Sequence, residues 1–340
     1  MLSPLQKLLK IDTQEVEFSR RGFTCTPPEI QHRLENVGRV FLQGYHTALQ
    51  NRNQVALAES LNQVKPEHRG FAYEGAAMAL ALQDQIFLTH NSLRRFMEGV
   101  GRQHIFMLHV GAGWAYARLP WLRRRIEAAI KKFQPVLRWL VMDGYGFHEG
   151  YFHWKDRTRP EVRAPRIFAA RLSEDARHVF FQGLGRSLWF IKGACVREIS
   201  AAIASFHPIY HGDAWSGIGL ACAYAGGFAE DAIAQLRVDA GGHSAVLAQG
   251  AAFAAKARQL AGNPAKHTEI ACGILCGMST VQAAALCDET FSKINLHYSC
   301  PYQHWRKLVQ EALLSSTKTF KQGNSHETNS SSSLVAAQPY

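Results

Sequence analysis

An all-α array of helical hairpins is the fold predicted for this chain of 340 residues. Three observations predict it: a glycine that returns at a nearly fixed interval, an early apolar stripe with helical spacing, and prolines that fall between periodic segments. Gly44, Gly75, Gly111, Gly144, Gly183, Gly217 and Gly250 lie 31, 36, 33, 39, 34 and 33 residues apart. Their settings are alike: QGYH, EGAA, VGAG, DGYG, QGLG, SGIG and QGAA. A period near ~34 residues is one helix-turn-helix unit, whose apolar face is completed only by the next unit. About seven such units predict a tetratricopeptide-like superhelix or an α/α toroid.

Glycine inside a helix costs roughly 1 kcal/mol relative to alanine. Seven at one register therefore imply close approach of neighbouring helix backbones. A phosphate cradle at Gly111-Ala112-Gly113 or Gly183-Leu184-Gly185 would follow a β-branched strand and end in Lys-Ser or a third glycine, and neither condition is met.

Residues 1–26 precede the periodic region and are expected to form an N-terminal extension. The first helix expected is Ile30–Leu49, where Ile30, Leu34, Val37, Phe41, Tyr45 and Leu49 recur at three- and four-residue steps. Pro66, Pro120, Pro135, Pro208, Pro264 and Pro301 then punctuate the chain, at places where a missing amide proton costs little. The widest glycine interval contains Trp154 to Arg171, rich in arginine and poor in helical period, and a long connecting loop is expected there. The helical domain is expected over 27–315. After it the composition turns to Ser, Asn, Thr and Gln, predicting a disordered tail over 316–340.

A hydrophobic content of 47% supplies ample core. The net charge of +11 suits an acidic partner, with basic clusters at Arg123–Arg125, Lys131–Lys132 and Arg157 through Arg171. No zinc-finger, helix-turn-helix or RNA-binding signature accompanies them, so nucleic acid is not expected. Cys25, Cys195, Cys222, Cys272, Cys276, Cys287 and Cys300 form no spaced framework and read as free thiols in a reducing compartment. Met1 to Lys10 has neither a long apolar stretch nor a cleavage site, and no segment reaches the ~20 apolar residues of a membrane span. A cytoplasmic location is expected, with attachment to a membrane surface left open.

Residues beside the seven glycines are polar or aromatic, and on one face of an array they would line one small-molecule cavity. Glu74, His109, Trp114, Tyr145, Phe147, Gln182, Trp189, Asp213, Trp215 and Gln249 form the expected binding set, joined by His211. Asp143, His148, Glu149 and Arg186 are the candidates for proton transfer or for orienting a polar end. Glu149 and His153 stand four apart, so His148, Glu149 and His153 are also candidate metal ligands, of a set that suits iron. Neither His-Glu-x-x-His nor the paired Glu-x-x-His of di-iron bundles is present, and no cofactor is assigned. No Gly-x-Ser-x-Gly elbow is present either, which argues against a serine hydrolase.

Six phrases occur in one order: Arg69-Gly-Phe-Ala-Tyr-Glu-Gly-Ala-Ala-Met, His109-Val-Gly-Ala-Gly-Trp-Ala, Asp143-Gly-Tyr-Gly-Phe-His-Glu-Gly-Tyr-Phe, Gln182-Gly-Leu-Gly-Arg-Ser-Leu-Trp-Phe, Trp215-Ser-Gly-Ile-Gly-Leu-Ala and Gln249-Gly-Ala-Ala-Phe-Ala. From about Arg20 to Leu313 the chain resembles a domain-of-unknown-function family encoded in enediyne biosynthetic gene clusters (UnbL-type). The resemblance implies a bacterial cytoplasmic protein that helps turn a linear polyene, or a related polyketide intermediate, into an enediyne core. It supplies no catalytic residues. The rival expectation is a non-catalytic helical scaffold that docks other proteins of the pathway. A closed cavity with inward polar groups separates the first reading from an open groove whose polar groups pair with one another.

Overall fold

A computed structural model describes residues 9–24, 26–51, 53–86, 91–154 and 171–330, with side chains to residue 316. Most of the loop expected between Trp154 and Arg171, and residues 331–340 of the expected tail, lie outside them. Among the described residues every regular element is helical. The longer helices are α1 (Pro28–Gln50), α2 (Gln54–Asn62), α3 (Pro66–Ile86), α4 (Ser92–Glu98), α5 (Ile105–Arg118), α6 (Trp139–His153), α7 (Glu174–Ile191) and α8 (Val196–Ala204). They continue with α9 (His211–Ala225), α10 (Glu230–Ala240), α11 (Ser244–Ala261), α12 (Lys266–Cys276), α13 (Thr280–Ser292) and α14 (Pro301–Ser330). No single described helix is long and apolar enough to cross a membrane.

The helix expected at Ile30–Leu49 is α1, started by Pro28 and buried at Leu34, Val37, Phe41, Tyr45 and Leu49. Pro66 and Pro301 likewise open α3 and α14, where the lost amide would have had no helical partner. Local chemistry sets other ends: Asn53 caps α2 and Ser173 caps α7 through their side chains, and Ser279 with Gln282 forms a capping box on α13.

The seven glycines all sit inside the long helices α1, α3, α5, α6, α7, α9 and α11, and each is a site of close backbone approach. A Cβ on Gly111 would overlap the carbonyl oxygen of Glu74, one on Gly144 that of Val110, and one on Gly183 that of Asp143. Gly217 and Gly250 meet the carbonyls of Gln182 and Ser216 in the same way. From Gly111 onward, therefore, each glycine rests on the residue just before the preceding glycine.

Four helices carry a second glycine two residues on, and it faces the other neighbour. Gly113 abuts the Val141 carbonyl, Gly146 that of Phe180, Gly185 that of Ala214 and Gly219 that of Leu247. Residues two apart on a helix point about 200° apart, so one Gly-x-Gly lets a helix press against both flanking helices. The motif is packing, not phosphate binding. The first helices also meet later ones: Arg33 Nε donates to the Ala225 carbonyl at 3.0 Å, Arg258 Nη2 donates to that of Glu67 at 3.1 Å, and the Phe71 and Tyr224 rings lie 5.2 Å apart.

The segment before α1 packs on the body, with Ile11, Val16, Phe18 and Phe23 buried. Arg21 Nη2 donates to the Tyr151 carbonyl at 2.8 Å, and Tyr45 Oη donates to that of Leu9 at 2.6 Å. Cys222, Cys272, Cys276, Cys287 and Cys300 are buried free thiols and Cys195 is half-buried.

Candidate functional site

On a long helix the residues one before, three after and seven after the repeat glycine form one stripe, because they step by four. In α3, α5, α6, α7 and α9 the +3 residues are Met78, Trp114, Phe147, Arg186 and Leu220, and all five line one interior cavity. At +7, Tyr151, Phe190 and Tyr224 extend its wall. Phe41, Phe71 and Met107 close further sides, Glu74 enters at −1, and Ile11, Glu15 and Val16 lie across it from the N-terminal segment. The cavity volume is about 70 Å³ with the side chains as they stand, room for a few water molecules, so a larger ligand requires the wall to open.

The lining is aromatic. Trp114 stands 4.6 Å from the Phe41 ring and 4.9 Å from that of Phe147, and Phe147 stacks on Tyr151 at 5.8 Å. Set into this wall are Glu74 and Arg186, both buried. Trp114 Nε1 donates to Glu74 Oε1 at 3.0 Å, and Arg186 Nη2 lies 3.7 Å from the same oxygen. Arg186 Nη1 pairs with Asp143 Oδ1 at 3.0 Å, and its guanidinium lies 4.9 Å from the centre of the Phe147 ring.

One guanidinium thus serves two buried carboxyls. Asp143 has the shorter ion pair and a further donor, Gln182 Nε2 at 2.8 Å from Oδ2, so it is the better-stabilised anion although burial raises its pKa. Glu74 has the longer one, and burial pushes its carboxyl up to about 7 against the pull of Arg186 and the Trp114 N–H. It is poised to give or take a proton near neutrality inside an apolar cavity. An acid with a raised folded pKa favours folding below its unfolded value, and that advantage is lost as pH rises through the folded value. Between pH 4.5 and about 7 Glu74 should remove about 3 kcal/mol of stability. Glu74→Gln should flatten that part of the stability profile, measured by denaturant unfolding at a series of pH values. An unchanged slope would contradict the assignment.

Gln182, Asp213 and Gln249, expected to bind substrate, are instead engaged by α14. Tyr302 Oη accepts from Gln182 Nε2 at 2.8 Å. Arg306 Nη1 donates to Asp213 Oδ1 at 2.7 Å, and its Nε donates to Gln249 Oε1 at 3.3 Å. Asp213 also holds His178 at 2.6 Å, which raises the imidazole's pKa. Trp189 is wholly buried and donates to the Gly226 carbonyl at 2.9 Å, a structural role. Tyr145 is buried 5.8 Å from the Phe180 ring, and Trp215 is buried and does not line the cavity. His109 faces a separate cleft beside Lys132 and Phe133, bonded to the Ile105 carbonyl at 2.7 Å. Burial lowers its pKa to about 4. His211 Nε2 meets the Phe206 carbonyl at 3.0 Å.

Asp143, His148, Glu149 and Arg186, expected around one pocket, separate into two places. Asp143 pairs with Arg186, whereas Glu149 Oε1 lies 3.5 Å from His148 Nδ1, 3.9 Å from His153 Nε2 and 3.4 Å from Arg123 Nη2. Five and six residues beyond Asp143, at about 100° per residue, His148 and Glu149 point away from it. Burial lowers the His148 pKa well below its usual range and raises that of Glu149. Phe41, Phe71, Tyr151, Phe190 and Tyr224 in the wall, and Tyr302 and Arg306 in α14, are not among the site residues expected from the sequence. For Tyr151, Phe190 and Tyr224 the signal was present, at +7 from successive glycines.

The family model described as protein of unknown function (DUF1702) matches residues 3–313. The chain belongs to this family. No curated protein and no solved structure matches it. The DUF1702 region takes in all the described cavity residues and both anchors of α14, and it ends at Leu313, the last buried residue among the described side chains of that helix.

Proposed function

We propose that this DUF1702 chain binds an elongated, conjugated molecule of the linear polyene or polyketide class and helps convert it towards an enediyne core, acting in the bacterial cytoplasm. The observation that carries the proposal is the aromatic cavity walled by Trp114, Phe147, Tyr151 and Phe190, whose buried polar feature is the Glu74–Arg186 pair. Flat rings suit a flat conjugated chain. Arg186 would orient a carboxylate or carbonyl at its end, and Glu74 would exchange a proton there. The six ordered phrases quoted from the sequence supply the link to enediyne assembly.

The same proposal includes a curved repeat array. With Gly-x-Gly contacts about 200° apart on one side, the flanking helices subtend about 160° on the side of the −1, +3 and +7 stripe, so a row of such helices bends towards that stripe. This supports a superhelix or toroid with its cavity inside. The scaffold alternative needs the inner face open to a partner, and the chain's own Tyr302 and Arg306 already occupy its Gln182, Asp213 and Gln249.

Deleting the gene in a producing strain should abolish the mature core and accumulate polyene-derived products, seen by mass spectrometry. Complementation with Glu74→Gln should restore soluble protein without restoring product. Full product formation from that variant would overturn the proton-transfer role, and an unchanged profile on deletion would overturn the pathway.

A further inference from the structure

Outside the cavity ion pair, the C-terminal end of α6 carries a second group of chemically competent side chains. One ligand atom each from His148, Glu149 and His153 lies within 4.8 Å of the others. His148 and Glu149 are almost fully buried, and His153 stands at the surface, 42% exposed in its side chain. Both carboxylate oxygens of Glu149 and the Nδ1 of His148 lack a hydrogen-bond partner. Leaving such groups unsatisfied costs about 1–3 kcal/mol each, so a buried carboxylate aimed at two imidazoles calls for a further occupant.

We propose that His148, Glu149 and His153 bind one divalent transition-metal ion. Two imidazoles and a carboxylate are the donor set that iron(II), zinc and related ions accept, and three protein ligands leave coordination positions open for water or another molecule. Bonds of about 2.1 Å place ligand atoms roughly 3.0–3.4 Å apart, so the separations, 3.5 and 3.9 Å from Glu149 Oε1 and within 4.8 Å across the set, must close by side-chain rotation. His153 ends α6 with its side chain 42% exposed, so it is the least enclosed of the three.

The surroundings set the conditions. Arg123, 3.4 Å from Glu149 Oε1, competes for the carboxylate and must turn to the other oxygen or withdraw as the ion enters. Arg118 and Arg21 also bear on His148, so the site favours an ion that forms strong bonds to nitrogen over a hard, purely electrostatic one such as magnesium. The His148 ring lies 5.9 Å from Trp114 and 4.7 Å from Phe152, both in the cavity wall, so a bound ion would sit behind that wall.

The test uses tag-free protein stripped with chelator and titrated with cobalt(II) and zinc(II) by calorimetry and visible absorption. One ion per chain is expected, with a cobalt spectrum of nitrogen and oxygen ligation. In His153→Ala and Glu149→Gln the affinity should fall by more than the roughly 10–100-fold that loss of an outer partner costs. Circular dichroism checks that both variants are folded; His153 is exposed enough for its variant to fold if the buried one does not. Absence of a stoichiometric ion, or equal binding by wild type and folded His153→Ala, would overturn the proposal.

Discussion

Gly217→Ala is expected to destabilise the protein by about 3 kcal/mol or more, although alanine is by itself the better helix former by roughly 1 kcal/mol. The added methyl would overlap the backbone at the Gln182 carbonyl and approach the Arg186 amide, and neither can move without shifting α7. A built-in control exists. Gly273 lies in the middle of α12 with nothing within 4 Å of a Cβ, so Gly273→Ala should leave stability unchanged or raise it by up to about 1 kcal/mol. Thermal and denaturant unfolding of the two variants compares them directly. Equal stabilities would contradict the role of the glycines in close packing.

Arg186→Met should cost about 3–5 kcal/mol at pH 8, because it keeps the bulk of the side chain and strands Asp143 and Glu74 without their counter-charge. The cost should shrink towards pH 5, where Glu74 already holds its proton and needs no cation. Adding Asp143→Asn should restore much of the stability at pH 8, since the remaining buried acid can stay neutral. Chemical unfolding of the single and double variants at both pH values reads the coupling. A pH-independent loss with no rescue would show that Arg186 acts by packing alone.

The helical architecture was legible because close contacts between helix backbones demand glycine, and the seven glycines mark such contacts. The cavity was half legible. Trp114, Phe147 and Arg186 were picked out as neighbours of glycines, and they do line it. Tyr145, Trp189 and Trp215 were picked out on the same ground and do not, because neighbours of one residue spread round the whole helix at about 100° each. The stripe at −1, +3 and +7 carries much of the wall, joined by Phe71 and Met107 at −4, and reading it needs the glycine contacts themselves. Tyr302 and Arg306 left no trace of this kind, since α14 follows the last repeat glycine and its pairing with Gln182, Asp213 and Gln249 is set by tertiary packing.

The aromatic cavity should take a conjugated chain with a polar end. Titration of the purified protein with a conjugated tetraene fatty acid, followed by quenching of tryptophan emission, tests it most directly because Trp114 stands in the wall. Saturable quenching at one molecule per chain is expected, and its loss in Met78→Trp, which fills the cavity from the adjacent helix α3. No saturable quenching, or equal quenching in a folded Met78→Trp variant, would contradict it.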